Sequence, residues 1–176
     1  LFKKYKPTEV SETFNKFQDN RLTIANRLAK TNPYYTGGLD ADGFPTGYGR
    51  YAQDVLIPAF LAAYTNKDPN TISLIDQSDP NIKSNPFSGF IPRPNWRMTY
   101  TGLTRIQGLE KTFTSFTLTH AYTSSLGMNS FNNNLLYQDP LSYNAPGFID
   151  TATGNFYPYF LVPNISIQEA FDPLIG

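Results

Sequence analysis

The chain's strongest structural signal is NWRMTYTGLTRIQGLEKTFTSFTLTHAYTSSLGMNSF, Asn95–Phe131. It contains two long segments in which apolar side chains alternate with hydroxyl-bearing or charged ones. Because successive side chains of a strand point to opposite faces, the alternation predicts a sheet with one apolar and one polar face. The predicted apolar face holds Trp96, Met98, Tyr100, Phe116, Leu118 and Tyr122, and the polar face holds Arg97, Thr99, Thr101, Ser115, Thr117, Thr119 and Thr123.

The second segment, residues 113–128, is long for a soluble sheet. Strands of globular sheets usually have about five or six residues, whereas a tilted membrane-spanning strand needs roughly 9–11. The predicted fold class is therefore mainly β, a segment of a transmembrane antiparallel β-barrel with helical and long-loop insertions. The smallest membrane barrels need about eight strands, so we expect about four strands to be incomplete as a folding unit.

Composition limits the classes of function. Aromatic residues make up 15% of the 176 residues, which suits membrane-interface girdles but also carbohydrate-binding folds. The 14 basic and 14 acidic side chains cancel, which argues against a nucleic-acid partner, and the absence of cysteine excludes disulfides and a thiol nucleophile. The chain opens without a signal peptide, so we expect a mature form or an internal fragment of an exported protein.

Two regions with different patterns are expected. Residues 1–94 are predicted to form an insertion, a cap or a pore-lining element that consists of an amphipathic helix near Thr8–Lys30, a glycine- and aromatic-rich loop over 31–52, a short apolar helix at Asp54–Tyr64 and a proline-rich loop over 66–94. Residues 95–176 are predicted to form barrel-wall strands near 95–103, 112–128, 131–138 and 156–169, with connecting loops.

Four long segments of the chain are distinctive: QDVLIPAFLAAY (Gln53–Tyr64), IPRPNWRMTYTGL (Ile91–Leu103), FTSFTLTHAYTSSLGMNSFNNNL (Phe113–Leu135) and YPYFLVPNISIQEAFDPLIG (Tyr157–Gly176). The first three, in their order and spacing, resemble the SprA/Sov family, the outer-membrane translocon of the type IX secretion system, and the fourth is similar to a further strand of that family. The resemblance covers most of residues 50–176. The helix near residues 8–30 fits the family less specifically.

The resemblance implies a single-chain barrel of about 36 strands, of which this chain would be a C-terminal-side segment. It implies location in the cell outer membrane and a role in gliding motility and in a protein-conducting channel that exports folded cargo proteins. It also implies four kinds of partner: outer-membrane lipid, exported cargo proteins, a PorV-type barrel shuttle protein and a periplasmic plug protein. Such a conduit works by its geometry, so the chain is not expected to be an enzyme.

Candidate chemical groups are few, and no catalytic, cofactor-binding or metal-binding residue is assigned. His120, the only histidine, falls on the predicted apolar face and lacks a motif with a nucleophile and an orienting acid. Asp40, Asp42 and Gly43 suggest a calcium loop, but the Glu that an EF-hand needs six residues after its glycine is replaced by Gly49. An aspartate- and glycine-rich turn is the simpler interpretation.

Several further interpretations stay open. Trp96 and Tyr100 are expected to face lipid or the membrane interface, with Arg97, Thr99 and Thr101 facing the lumen. The chain could instead be a soluble secreted β-rich binding module that contacts glycan or protein through its aromatic side chains. A secreted hydrolase would need paired carboxylates, for which Asp40, Asp42 and Asp54 are the candidates.

The helix Asp54–Tyr64 could line or gate a pore, or only support neighbouring strands.

Overall fold

The structure, a computed structural model, describes residues 10–74, 95–106, 108, 111, 114–129, 132–162 and 164–171. The chain divides into two compact units. The helical unit comprises Leu1–Phe87 and Ser130–Pro163, and the sheet unit comprises Ser88–Asn129 and Asn164–Gly176.

The helical unit begins with α1, Glu12–Thr31, which confirms the predicted amphipathic helix. Ser11 is its N-cap, because the Ser11 hydroxyl accepts a hydrogen bond from the Phe14 N–H at 3.1 Å. The helix ends where Asn32 precedes Pro33, since the residue before a proline avoids the α region. Its second half carries the buried side chains, so α1 is anchored at its C-terminal end.

The second helix, α2, spans Gln53–Thr65 and confirms the predicted apolar helix. It ends at Asn66, whose φ of 53° gives the left-handed cap at which helices commonly stop. Side chains of α1 bind its C-terminal end and the loop beyond. The Lys16 ammonium donates to Asn66 Oδ1 at 2.9 Å, and the Arg27 guanidinium donates to the carbonyls of Pro69 and Ile72 at 2.6 and 2.8 Å.

The segment 132–162 belongs to the helical unit although it is distant in sequence. It contains β3 (Asn132–Asn133), the short helix α3 (Pro140–Tyr143) and β4 (Phe160–Leu161), and β3 pairs antiparallel with β4. Phe156 N–H donates to the Gly47 carbonyl at 2.8 Å, and Gln53 Oε1 accepts from the Val162 N–H at 2.8 Å. These bonds fasten the segment to the loop between α1 and α2 and to the first residue of α2.

The sheet unit holds an antiparallel sheet with the strand order β1-β2-β5. The strands are β1 (Trp96–Tyr100), β2 (Leu118–Asn129) and β5 (Asn164–Phe171), and a single 3₁₀ turn at Gly102–Arg105 follows β1. β2 pairs with β1 from Leu118 to Tyr122 and with β5 from Tyr122 to Asn129. The centre of the sheet is therefore Tyr122, the one residue of β2 that is paired on both sides.

The predicted barrel-wall fold is wrong, because the described residues form a mixed α/β structure with an open three-stranded sheet. Ala121 and Tyr122 are consecutive on β2 and point to opposite faces, yet they are 6% and 0% exposed. A wall strand would place one of these side chains against lipid and the other towards a polar interior. β2 is long because its two halves pair largely with different strands, and this length was misread as a membrane span.

Strand boundaries also differ from those predicted. The strand expected near 131–138 is reduced to β3, and the one expected near 156–169 is divided into β4 and β5. Part of the expected proline-rich loop, residues 75–94, lies outside the described residues. None of the described helices combines the length and apolar character that crossing a membrane requires.

Candidate functional site

The strongest candidate for a binding surface is the aromatic face of the sheet unit, formed by Trp96, Met98, Tyr100, His120 and Tyr122. Trp96 lies opposite Tyr122 and Met98 opposite His120, so the side chains share one side of the sheet. The rings of Trp96 and Tyr122 stack with centroids 4.5 Å apart and planes 26° apart. The predicted grouping of these residues on one face is confirmed.

Part of the aromatic face is accessible from solution. Trp96, Met98 and Tyr100 are 43, 53 and 50% exposed, respectively. Tyr122 is fully buried and stacks with the Trp96 ring, which limits the orientations that the exposed ring can take. An aromatic surface of this kind can stack on a flat apolar partner, such as the face of a sugar ring or an aromatic side chain.

His120 lies within the aromatic face. Its ring centroid is 6.0 Å from that of Trp96, and its Nδ1 is buried without a hydrogen-bond partner in the part of the chain that the structure describes. General acid–base catalysis needs groups within hydrogen-bond reach that can donate or accept a proton. The indole of Trp96 and the thioether of Met98 supply no such acid or base, so the position favours packing over catalysis.

The opposite face of β1 carries Arg97, Thr99 and Thr101, all of them exposed. Their expected lumen-facing role required a barrel wall, which the described residues do not form. At the start of β1 the Oδ1 of Asn95 accepts a hydrogen bond from the Ser124 N–H at 2.6 Å. This side-chain bond replaces the next backbone bond of the β1–β2 ladder, so Asn95 ends the pairing of the two strands.

The acidic turn at Asp40–Gly43 is organised by its own side chains. Asp40 Oδ1 accepts hydrogen bonds from the N–H groups of Asp42 and Phe44, at 2.9 and 2.8 Å. Asp42 Oδ2 lies 3.6 Å from Arg50 Nε, and Gly43 supplies the φ of +81° that closes the turn. The predicted aspartate- and glycine-rich turn is confirmed, and its carboxylates stabilise a loop.

Clusters of metal ligands are absent from the part of the chain that the structure describes. Among these residues, no group of three or more His, Cys, Asp and Glu side chains is arranged to hold an ion. Calcium prefers six to eight oxygen ligands, and Asp40 Oδ1 already accepts two backbone hydrogen bonds.

Asp54, the third carboxylate considered for hydrolysis, is 6% exposed in the first turn of α2. A negative charge at this position is favourable, because the N-terminus of a helix carries a partial positive charge. Eight of the 13 residues of α2 are buried inside the helical unit. The burial of Asp54 therefore favours a structural role over a role in hydrolysis.

The sequence interpretation missed a buried polar cluster around Asn32 and Tyr48. The Asn32 amide donates to the Tyr48 hydroxyl and to the Pro146 carbonyl, both at 3.0 Å, and Asn32 Oδ1 accepts from the Tyr34 N–H at 3.1 Å. Burial raises the pKa of Tyr48; the hydrogen bond from Asn32 opposes this shift, and the nearby charge of Asp54 adds to it. In the sequence, Asn32 is recognisable only as the residue at which a helix ends, so no pattern predicted its long-range partners.

The chain was compared with known proteins in two ways. It matches no protein-family model and no curated protein.

Proposed function

We propose that the chain is part of an outer-membrane protein-conducting channel that exports folded cargo proteins, related to the type IX translocon. The support is the resemblance of three long segments to the SprA/Sov family, in the family's order and spacing, and of a fourth to a further strand of that family, across most of residues 50–176. Strings of 12 to 23 residues are much more specific than short motifs. The proposed partners are outer-membrane lipid, exported cargo, a PorV-type shuttle protein and a periplasmic plug protein.

Within this proposal the helical unit supports the channel and does not line its path. A pore-lining helix presents one side to water, whereas Val55, Ala59 and Leu61 of α2 are at most 2% exposed and most of the helix is buried. The loop between α1 and α2 is held by backbone and side-chain hydrogen bonds at Gly47 and Gly49. A stiff unit of this kind can hold neighbouring parts of a large assembly in place without any covalent chemistry.

Export from the source cells tests the proposal. An epitope tag inserted at the exposed turn of Gly154 would locate the chain by membrane fractionation, and secreted cargo would be measured in the medium. Gly47→Val, which disrupts the helical unit, is expected to abolish export, whereas Gly43→Val, where a side chain meets open space, should reduce it less. A chain found in the soluble fraction, with export unchanged by Gly47→Val, would contradict the proposal.

The aromatic face supports a second candidate, a secreted module that binds glycan or protein. The observation in its favour is the stacked, half-exposed Trp96 ring with Met98 and Tyr100 beside it on the strand. Glycan-array and peptide-binding measurements should then show a ligand that is lost in Trp96→Ala and retained in Thr99→Ala, which changes the opposite face. A protein that needs detergent to stay in solution and binds none of these ligands would exclude this second candidate.

A further inference from the structure

Four aromatic rings form a continuous row across α1 and α2. Ring centroids are 5.8 Å apart from Phe14 to Phe17, 6.3 Å from Phe17 to Phe60 and 6.1 Å from Phe60 to Tyr64. The guanidinium carbon of Arg21 lies 5.4 Å from the centre of the Phe17 ring, within the range of a cation–π contact. We call Phe14, Phe17, Phe60 and Tyr64 the aromatic ribbon.

The ribbon lies where the apolar stripe of α1 leaves the core. Further along the same stripe Ile24 and Leu28 are 0 and 5% exposed, but Phe14 is 45% and Val10 is 56% exposed. α1 has 20 residues and α2 has 13, so at 1.5 Å per residue α1 is longer by about 10 Å. The N-terminal end of the stripe therefore extends beyond the part of α1 that is buried.

The charge of the N-terminal part of the sequence points to the kind of partner. Residues 1–30 carry seven basic and three acidic side chains, whereas residues 31–176 carry seven basic and eleven acidic ones. The positive excess of a neutral chain is thus concentrated in the segment that contains most of α1. Arg21 contacts the Phe17 ring of the ribbon, and Lys16 of the same helix is 3.2 Å from Glu12.

The chemistry of the rings separates two anionic partners. Three of the four rings are phenylalanines, which offer no hydrogen bond, and the neighbouring Val10 adds an aliphatic side chain. A single-stranded nucleic acid needs a basic groove that follows its phosphates, in addition to rings for stacking. Apolar side chains flanked by basic ones on an amphipathic helix are typical of binding at a lipid interface.

We propose that the aromatic ribbon docks on the surface of a bilayer that contains anionic lipids. Val10 and Phe14 enter the boundary between headgroups and acyl chains, and Arg21 lies at the level of the phosphates. Peripheral docking of this kind requires no helix that crosses the membrane. It is also independent of the proposed export function, because it concerns the folded helical unit alone.

Vesicle binding by the full 176-residue chain tests this docking. Sedimentation with phosphatidylcholine vesicles is compared with sedimentation with mixed phosphatidylcholine and phosphatidylglycerol vesicles, at low and high salt. The chain should bind the mixed vesicles, bind them less at high salt, and bind neutral vesicles weakly. Val10→Ser with Phe14→Ser should weaken binding about tenfold, and Arg21→Gln about fivefold.

The matched control replaces two apolar residues of the same unit that are exposed to a similar degree. Leu136→Ser with Leu141→Ser changes side chains that are 56 and 59% exposed and should alter binding by less than about twofold. In a Trp96→Phe background, Phe14→Trp should show a blue-shifted emission on anionic vesicles only, which reports insertion at this residue. Circular dichroism confirms that each variant is folded.

Several outcomes would overturn the docking inference. They are equal binding to neutral and anionic vesicles, equal losses in the ribbon and control variants, and no binding by folded protein. Ribbon-dependent binding of a single-stranded oligonucleotide without vesicle binding would also overturn it and would assign the ribbon to nucleic acid. Loss of export in cells with normal vesicle binding would leave the docking intact, so the two proposals fail separately.

Discussion

Tyr48 of the helical unit and Trp96 of the sheet unit both pack against another aromatic ring, but they are 8 and 43% exposed. Tyr48 contacts the Phe156 ring at 5.1 Å and receives a hydrogen bond from Asn32, so groups from distant parts of the chain cover it. Trp96 stacks on Tyr122 and remains partly open to solvent. A distant segment of the chain thus covers Tyr48 in the helical unit, whereas β1, the first strand of the sheet unit, is exposed.

The largest effect is expected where that distant segment touches the loop after α1. A Cβ at residue 47 would overlap the Phe156 ring, and Gly47 also has a φ of +87°. We expect Gly47→Ala to lower the free energy of unfolding of the helical unit by about 3–4 kcal/mol, through steric overlap and backbone strain together. Urea denaturation followed by far-ultraviolet circular dichroism measures the loss.

Gly43 is the matched control for this substitution. It has a similar φ of +81°, but a Cβ there meets no atom within 4 Å. Gly43→Ala should therefore cost about 1 kcal/mol, from backbone strain alone. Equal losses for the two alanine variants would show that the contact between Gly47 and Phe156 does not stabilise the unit.

Within the helical unit, Asn32→Ala should have the next largest effect, because it leaves a buried hydroxyl and a partly buried carbonyl without their partner. The Tyr48 hydroxyl and the Pro146 carbonyl both accept from the Asn32 amide. An unpartnered buried polar group costs about 1–3 kcal/mol, so we expect a loss of about 2 kcal/mol by thermal or urea denaturation. Ser142→Ala, which removes an exposed hydrogen bond, should stay within about 0.5 kcal/mol of the parent.

A smaller effect, with a distinct pH dependence, is expected for Tyr48→Phe. Burial raises the pKa of Tyr48 above its ordinary value of 10.0. The resulting stabilisation is fully present below pH 10 and is lost as the pH rises through the raised pKa of the folded state. Tyr48→Phe should be about 1 kcal/mol less stable at neutral pH and should lose less stability above pH 10 than the parent does.

Urea titrations of Tyr48→Phe and the parent at several alkaline pH values measure this difference. Parallel stability curves above pH 10 would show that the hydroxyl is not buried in solution.

The smallest effect is expected on the exposed strand. Met98 is 53% exposed, so Met98→Thr should change the stability of the sheet unit by less than about 0.5 kcal/mol. Tyr122→Ala in the same unit should cost about 3 kcal/mol, because it removes a fully buried ring and the stack with Trp96. Near-ultraviolet circular dichroism of Trp96 during denaturation reports this unit, and a large loss in Met98→Thr would show that the aromatic face is covered.

Local patterns in the sequence predicted α1, α2 and the pairing faces of β1 and β2, but not the short helix α3. The stripe from Val10 to Leu28 determines α1, and the apolar run at 54–64 determines α2, because both signals lie within one element. The alternation of apolar and polar side chains, which is also a signal within a single element, predicted that Trp96 and Tyr122 share one face of the sheet. The aromatic face could therefore be predicted before the structure was known.

Contacts between distant segments could not be predicted in this way. The Asn155 side-chain amide bonds to the Gly49 backbone, and Phe156 bonds to the Gly47 backbone and places its ring over that glycine. Contacts of these kinds leave no periodic pattern in the sequence. The barrel interpretation failed for a related reason. Alternation predicted one long strand over 112–128, whereas β2 begins only at Leu118, and its division between two partner strands depends on residues near 96 and 171.

The bond between Gln53 and Val162 also has a consequence for synthesis, because the two residues are 109 positions apart. Translation adds about 5–20 residues per second, so roughly 5–20 s pass between the synthesis of Gln53 and the synthesis of Val162. During that interval the loop after α1 lacks the groups that later cover Tyr48 and Gly47. A contact of such high sequence separation also slows folding once the chain is complete. The helical unit is thus accessible to chaperones and proteases for seconds before it can close.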